Sequence, residues 1–137
     1  MEIYEKFHGS TIDEWEEALK NALENETVLG VKFPRYTHSS ILGSANAEDS
    51  ISEAMRFYRE AHRAAFLEGV KINKDFKILD FGCGATCRLG RSFLREIPAR
   101  NIYGVDVQPE YVDICKKDIP GREFPTYKHK ASPAFRE

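Results

Sequence analysis

No stretch of this chain approaches the run of about 18 apolar residues that spans a bilayer. Its first residues, Met-Glu-Ile-Tyr-Glu-Lys, lack the basic start and apolar core of a secretion signal. A cytoplasmic location and no membrane partner are therefore expected. Cysteine is scarce: the three thiols, at positions 83, 87 and 115, are an odd number in unrelated surroundings, which does not suggest a disulfide framework and suits a reducing compartment. Cys83 and Cys87 are spaced C-x-x-x-C, but no histidine completes a four-ligand zinc set, and no base lies near Cys83 in sequence to activate it. No metal site is expected. The glycines are not followed by a phosphate-binding lysine motif, which argues against nucleoside triphosphate hydrolysis. The chain also lacks an excess of either charge: a net charge of −2 names no partner and gives no sign of nucleic-acid binding. Internal repeats and low-complexity tracts are absent too.

Two short apolar runs carry most of the information. Residues 78–84 read Ile-Leu-Asp-Phe-Gly-Cys-Gly, and residues 102–106 read Ile-Tyr-Gly-Val-Asp. A strand that enters a Gly-x-Gly turn lets the backbone approach a ligand closely, because a Cβ at either glycine would obstruct the approach or strain the turn. A carboxylate at the tip of the next parallel strand can accept hydrogen bonds from both hydroxyls of a ribose. Asp106 lies 24 residues after Gly82, near the spacing of about 20 between a nucleotide-binding turn and its ribose acid. The ligand implied is a nucleoside in a strand–helix crevice. A dinucleotide fingerprint needs a small residue at its sixth position, where this chain has Cys87. Asp80, two residues before the first glycine, would repel a pyrophosphate and attract an ammonium. The turn suits a ligand with a cationic amine.

From Lys77 to Lys117 the chain resembles the S-adenosylmethionine-dependent methyltransferases of the Rossmann-like class. ILDFGCG is similar to their first motif, and IYGVDVQPEYVDIC to the second strand, its acidic tip and the helix that follows. The resemblance implies S-adenosyl-L-methionine as cofactor and methyl transfer to an acceptor that these residues do not identify. It also implies Asp80 near the methionine amine, the backbone of Gly82, Cys83 and Gly84 along the methionine moiety, Asp106 on the ribose and Val107 against the adenine. It assigns no catalytic base. Two other readings stay open: a binding or interaction module that keeps the cofactor turn without catalysis, and a nicotinamide-dependent oxidoreductase, which Asp80 and Cys87 oppose.

A doubly wound sheet takes roughly 150 to 200 residues, whereas the first 75 of these 137 precede the first nucleotide-binding strand. The fold class expected is α/β: an N-terminal helical segment and loop over 1–75, then over 76–137 the first βαβ unit of a partial, truncated Rossmann-like parallel sheet.

Along the chain, Thr11-Ile12-Asp13-Glu14 has the form of a capping box opening a helix over 12–25, with Trp15 as a docking residue among Ile12, Leu19, Ala22 and Leu23. Residues 26–49 read as a long connection, with Arg35, Tyr36 and His38 as its only chemically notable cluster. A second capping box at Ser50–Glu53 predicts a helix that ends near Gly69, with Ile51, Met55, Tyr58, His62, Ala65 and Phe66 as its apolar stripe. His62 is expected half-buried with one hydrogen bond. The methyltransferase resemblance places this helix over the sheet edge beside the cofactor. Strands are expected over 77–81 and 101–107, with a helix over 89–96 between them that Pro98 ends. A helix from Pro109 follows, and 124–127 reads as an edge strand.

Overall fold

The computed structural model describes residues 1–25, 27–28, 31–32, 47–83, 88–107, 110 and 113. Its elements are α1 (Ile3–Phe7), α2 (Ile12–Asn25), β1 (Thr27–Val28), β2 (Val31–Lys32), α3 (Ala47–Leu67), β3 (Ile78–Phe81), α4 (Arg88–Ser92) and β4 (Ile102–Val105). One 3-10 turn, Phe93–Arg95, continues α4, and another, Ala99–Asn101, leads into β4. The result is a mixed helix-and-strand architecture around a parallel two-stranded sheet.

The capping box at Thr11 forms as the sequence predicts. Glu14 N–H donates to Thr11 Oγ1 at 3.1 Å and Thr11 N–H to Glu14 Oε2 at 2.9 Å, so two amides that the helix start leaves orphaned find partners. A similar reciprocal start, unanticipated, holds α1, where Glu2 N–H donates to Glu5 Oε2 at 2.7 Å. The box expected at Ser50 is corrected: α3 already begins at Ala47, which leaves Ser50 inside the helix. The acid Asp49 suits the positive end of the helix dipole and favours an earlier start. At its other end α3 closes as foreseen. Gly69 takes φ +72°, Val70 N–H reaches Ala65 O at 2.8 Å and Gly69 N–H reaches Phe66 O at 3.0 Å, the paired bonds of a Schellman turn.

The core gathers Ile3 from α1, Trp15, Leu19 and Ala22 from α2, Met55 and Tyr58 from α3, and Phe93, Leu94, Ile97 and Ile102 around the sheet. One apolar cluster thus joins the N-terminal helices to the βαβ unit. Trp15 is wholly buried, and its Nε1–H donates to Ser92 O at 2.8 Å, so the indole docks α2 onto the end of α4 without stranding its polar atom. Across the rim, Arg59 of α3 donates to Glu16 at 3.0 Å and to Asp13 at 2.7 Å on α2. Phe66 departs from its predicted stripe. It is 79% exposed, because α3 runs past the core in its last turn.

Within the sheet, β3 and β4 pair in parallel with Ile78 opposite Ile102 and Phe81 opposite Val105. The intervening helix is shorter than expected: α4 proper stops at Ser92 and the chain tightens into the 3-10 turn before Pro98. Strand β4 is shorter too, beginning after the turn that Asn101 closes and ending before Asp106. The expectation that α3 covers the sheet edge beside the cofactor turn is corrected. Its main packing partners are α4 and α2, so it forms an outer layer on the helices. The opposite face of β3 is bare, with Leu79 61% and Phe81 78% exposed. Where the sequence reads as a long connection, Thr27–Lys32 and Val28–Val31 pair antiparallel in two very short strands. The β-branched Thr27, Val28 and Val31 favour that pairing. Arg35, Tyr36 and His38 and the strand expected over 124–127 lie outside the described residues. In the helix expected from Pro109, Glu110 and Asp113 are helical.

Candidate functional site

The carboxyl ends of β3 and β4 bring the sequence motifs together. After Phe81 the backbone turns at Gly82, whose φ is +74°. That conformation costs a residue with a side chain about 1–2 kcal/mol, so glycine is the residue the turn calls for. The turn is tied across the sheet: Gly82 N–H at 2.7 Å and Cys83 N–H at 3.0 Å both donate to Val105 O. Because Val105 is the last residue of β4, this shared acceptor sets Gly82 beside the start of Asp106. Two residues 24 apart in the chain are thereby fixed at one end of one sheet.

Asp80 sits opposite Gly104 on the covered face of β3, where it is only 9% exposed. Its Oδ2 accepts from Gly90 N–H at 3.1 Å. A buried carboxylate needs such donors, and a helix's first amides need acceptors, so one bond settles both. Asp80 thus orients the first turn of α4 against the strand in addition to any contact with a ligand. Cys83 is buried beneath the turn, in keeping with a small side chain that packs there. Asp106 is partly exposed at the tip of β4, and Val107 is 66% exposed just beyond it. Gly84 and Cys87 lie outside the described residues, as does Cys115.

An added Cβ on Gly82 would meet no atom of the described residues within 4 Å. The space over the turn is therefore open, and a glycine there leaves the strand tip accessible. No known family, curated protein or solved structure matches the chain. The site must be read from its own chemistry. An open, positive-φ turn, with a partly exposed carboxylate on the neighbouring strand tip, can admit a flat polar ligand edge-on and accept hydrogen bonds from its hydroxyls. Among the described residues no group of three or more histidine, cysteine or acidic side chains is placed to hold a metal ion, and no helix is long and apolar enough to cross a membrane.

The sequence did not disclose a second polar cluster at the other end of the sheet. His62 Nε2–H donates to Glu96 Oε1 at 2.5 Å, and Tyr58 O–H donates to Glu96 Oε2 at 2.7 Å. Arg95 Nη1 approaches the same tyrosine oxygen at 3.2 Å, and its other terminal nitrogen donates to Ser10 O. Burial, and then the Glu96 carboxylate, push the Tyr58 phenol far above its ordinary range, so it stays a donor. The half-buried, singly bonded His62 agrees with the sequence. Its partner lies 34 residues away, and no spacing rule links them.

Proposed function

We propose that the crevice at the tips of β3 and β4 binds the nucleoside of S-adenosyl-L-methionine and that the protein is a methyltransferase built on the first βαβ unit of a Rossmann-like sheet. The observation that carries this reading is the bond pair from Gly82 and Cys83 to Val105 O, which joins an accessible positive-φ turn to the carboxylate at position 106. In this reading Asp106 accepts from the ribose hydroxyls, and the open backbone at Gly82 admits the methionine portion. Exposed Val107 supplies apolar surface for the adenine. Asp80 holds the α4 start in place and puts negative charge under the cationic end of the ligand.

When bound, the cofactor supplies a sulfonium methyl group. The chain's own task is to hold donor and acceptor in line, an effect that can contribute about 7–11 kcal/mol. No described residue is assigned as a base, and none is needed where the acceptor enters without an early proton loss.

Calorimetric titration with S-adenosylhomocysteine tests the reading. Asp106→Ala removes the acceptor for two hydroxyls and should weaken binding by about 1–3 kcal/mol. Equal affinity in both proteins would take Asp106 out of the site. Binding without turnover across a broad set of acceptors would assign a nucleoside-binding module instead.

A further inference from the structure

The amino-terminal end of the sheet carries a cleft of about 670 Å³ that the proposed nucleoside site does not use. Its place is fixed by the connection between α3 and β3, which is held beside the start of β4 by a bond from Asn101 Nδ2–H to Lys74 O at 3.1 Å. The volume is that of a small-molecule site.

Positive and donor groups dominate its polar lining. His8 caps the end of α1, His62 comes from α3, Lys71 and Lys74 from the connection, and Arg95 from the 3-10 turn after α4. Both carboxylates at the cleft are already committed. Glu5 accepts from Glu2 N–H at 2.7 Å, and Glu96 accepts from Tyr58 and His62. Both imidazoles are oriented in the same manner. His8 Nδ1–H donates to Tyr4 O at 2.8 Å and His62 Nε2–H to Glu96, so each ring has one nitrogen engaged, and the other, a lone-pair acceptor in the neutral ring, donates to an anion when the imidazole carries its second proton. Lys71 and Lys74 are exposed, three residues apart on one short connection, and among the described residues neither makes an ion pair. Ammonium groups without an ion-pair partner among the described residues, beside imidazoles fixed by second partners, form a surface suited to an anion.

We propose that this cleft is a binding site for a small phosphate-bearing ligand, held by Lys71, Lys74, His8 and His62. A phosphate group offers acceptor oxygens in several directions, which matches donors that converge from α1, α3 and the connection. A single carboxylate presents two oxygens in one plane and satisfies fewer of them. The Tyr58–Glu96–His62 chain acts as a positioning device. The buried carboxylate fixes the imidazole plane, and the tyrosine hydroxyl holds the carboxylate.

The test uses the full chain and inorganic phosphate as the probe, with acetate in parallel, followed by calorimetry and by the imidazole nitrogen resonances of His8 and His62. Saturable phosphate binding in the millimolar range is expected, with both imidazoles shifting along the same isotherm and acetate binding more weakly. The double variant Lys71→Gln/Lys74→Gln changes only exposed side chains and should weaken phosphate at least about tenfold with the fold intact. His62→Gln should weaken it as well, and a nucleoside titration of the same variants should be unchanged. Phosphate affinity that is equal in wild type and the double lysine variant, or imidazole resonances that ignore phosphate, would overturn the proposal. So would acetate binding as tightly as phosphate.

Discussion

Gly82 and Gly69 provide a matched pair of perturbations. Their φ angles are +74° and +72°, and an added Cβ at either one meets no atom of the described residues within 4 Å. An alanine at each position therefore meets the same backbone strain, about 1–2 kcal/mol, and recovers about 0.4–1 kcal/mol from the less flexible unfolded chain. Each variant should lose about 1 kcal/mol, or roughly 3–5 °C in Tm for a domain of this size. Function separates them. Gly69 closes α3 far from the strand tips, whereas the methyl group of Gly82→Ala projects into the space proposed for the ligand.

Urea denaturation followed by circular dichroism measures the first quantity and calorimetry with S-adenosylhomocysteine the second. Gly69→Ala should bind as wild type does, and Gly82→Ala should lose at least about tenfold, equivalent to about 1.4 kcal/mol. If both variants are equally destabilised and bind equally well, no ligand approaches the Gly82 turn. Should Gly82→Ala instead cost more than about 3 kcal/mol, the turn is crowded and the openness inferred from its geometry is wrong.

Trp15→Phe removes the donor to Ser92 O and leaves a void where α2 meets α4, so urea denaturation should show a loss of roughly 2–3 kcal/mol; a neutral result would mean that α2 is not docked there. Leu79→Thr/Phe81→Thr alters only the bare sheet face, so stability should change by less than about 0.5 kcal/mol while self-association in sedimentation falls; a large loss would show the face to be covered. Tyr58 is held above its ordinary value of 10.0, so above about pH 10 the unfolded chain releases a proton that the folded chain keeps, and the stability present at lower pH is lost as pH rises, at up to about 1.4 kcal/mol per pH unit. Tyr58→Phe should cost about 2 kcal/mol at neutral pH and flatten that alkaline slope, and an unchanged slope would refute the burial of this phenol beside Glu96.

The parts of the fold that sequence reading recovered are governed by near neighbours. The Thr11 box, the Gly69 turn and the short apolar runs at 78–81 and 102–105 depend on residues within about four positions of one another, the range over which helix caps and strand patterns act. The same holds for the candidate site. Gly82 and Asp106 announce themselves by type and spacing, and the parallel register then joins them. Misreadings arose where local preference was overruled: Ser50 has a cap's side chain, yet favourable residues before it let α3 start earlier.

The amino-terminal cleft was invisible for a different reason. Its residues come from α1 and its cap, from α3, from a connection and from the 3-10 turn after α4, and none of them forms a motif with its own neighbours. His62 shows only that it borders an apolar face, and Glu96 reads as the last residue of a short helix. Their meeting depends on α3 packing across α4 and the following 3-10 turn, where Tyr58 and His62 stand against Phe93 with ring centroids 5.0 and 6.2 Å away. A packing angle between two helices is a property of their whole contact surface. Charge placed by such packing is therefore legible only once the core is assembled. That difference also makes the two ends of the sheet separately testable, since substitutions at Gly82 and at Lys71 share no contact and their effects should add.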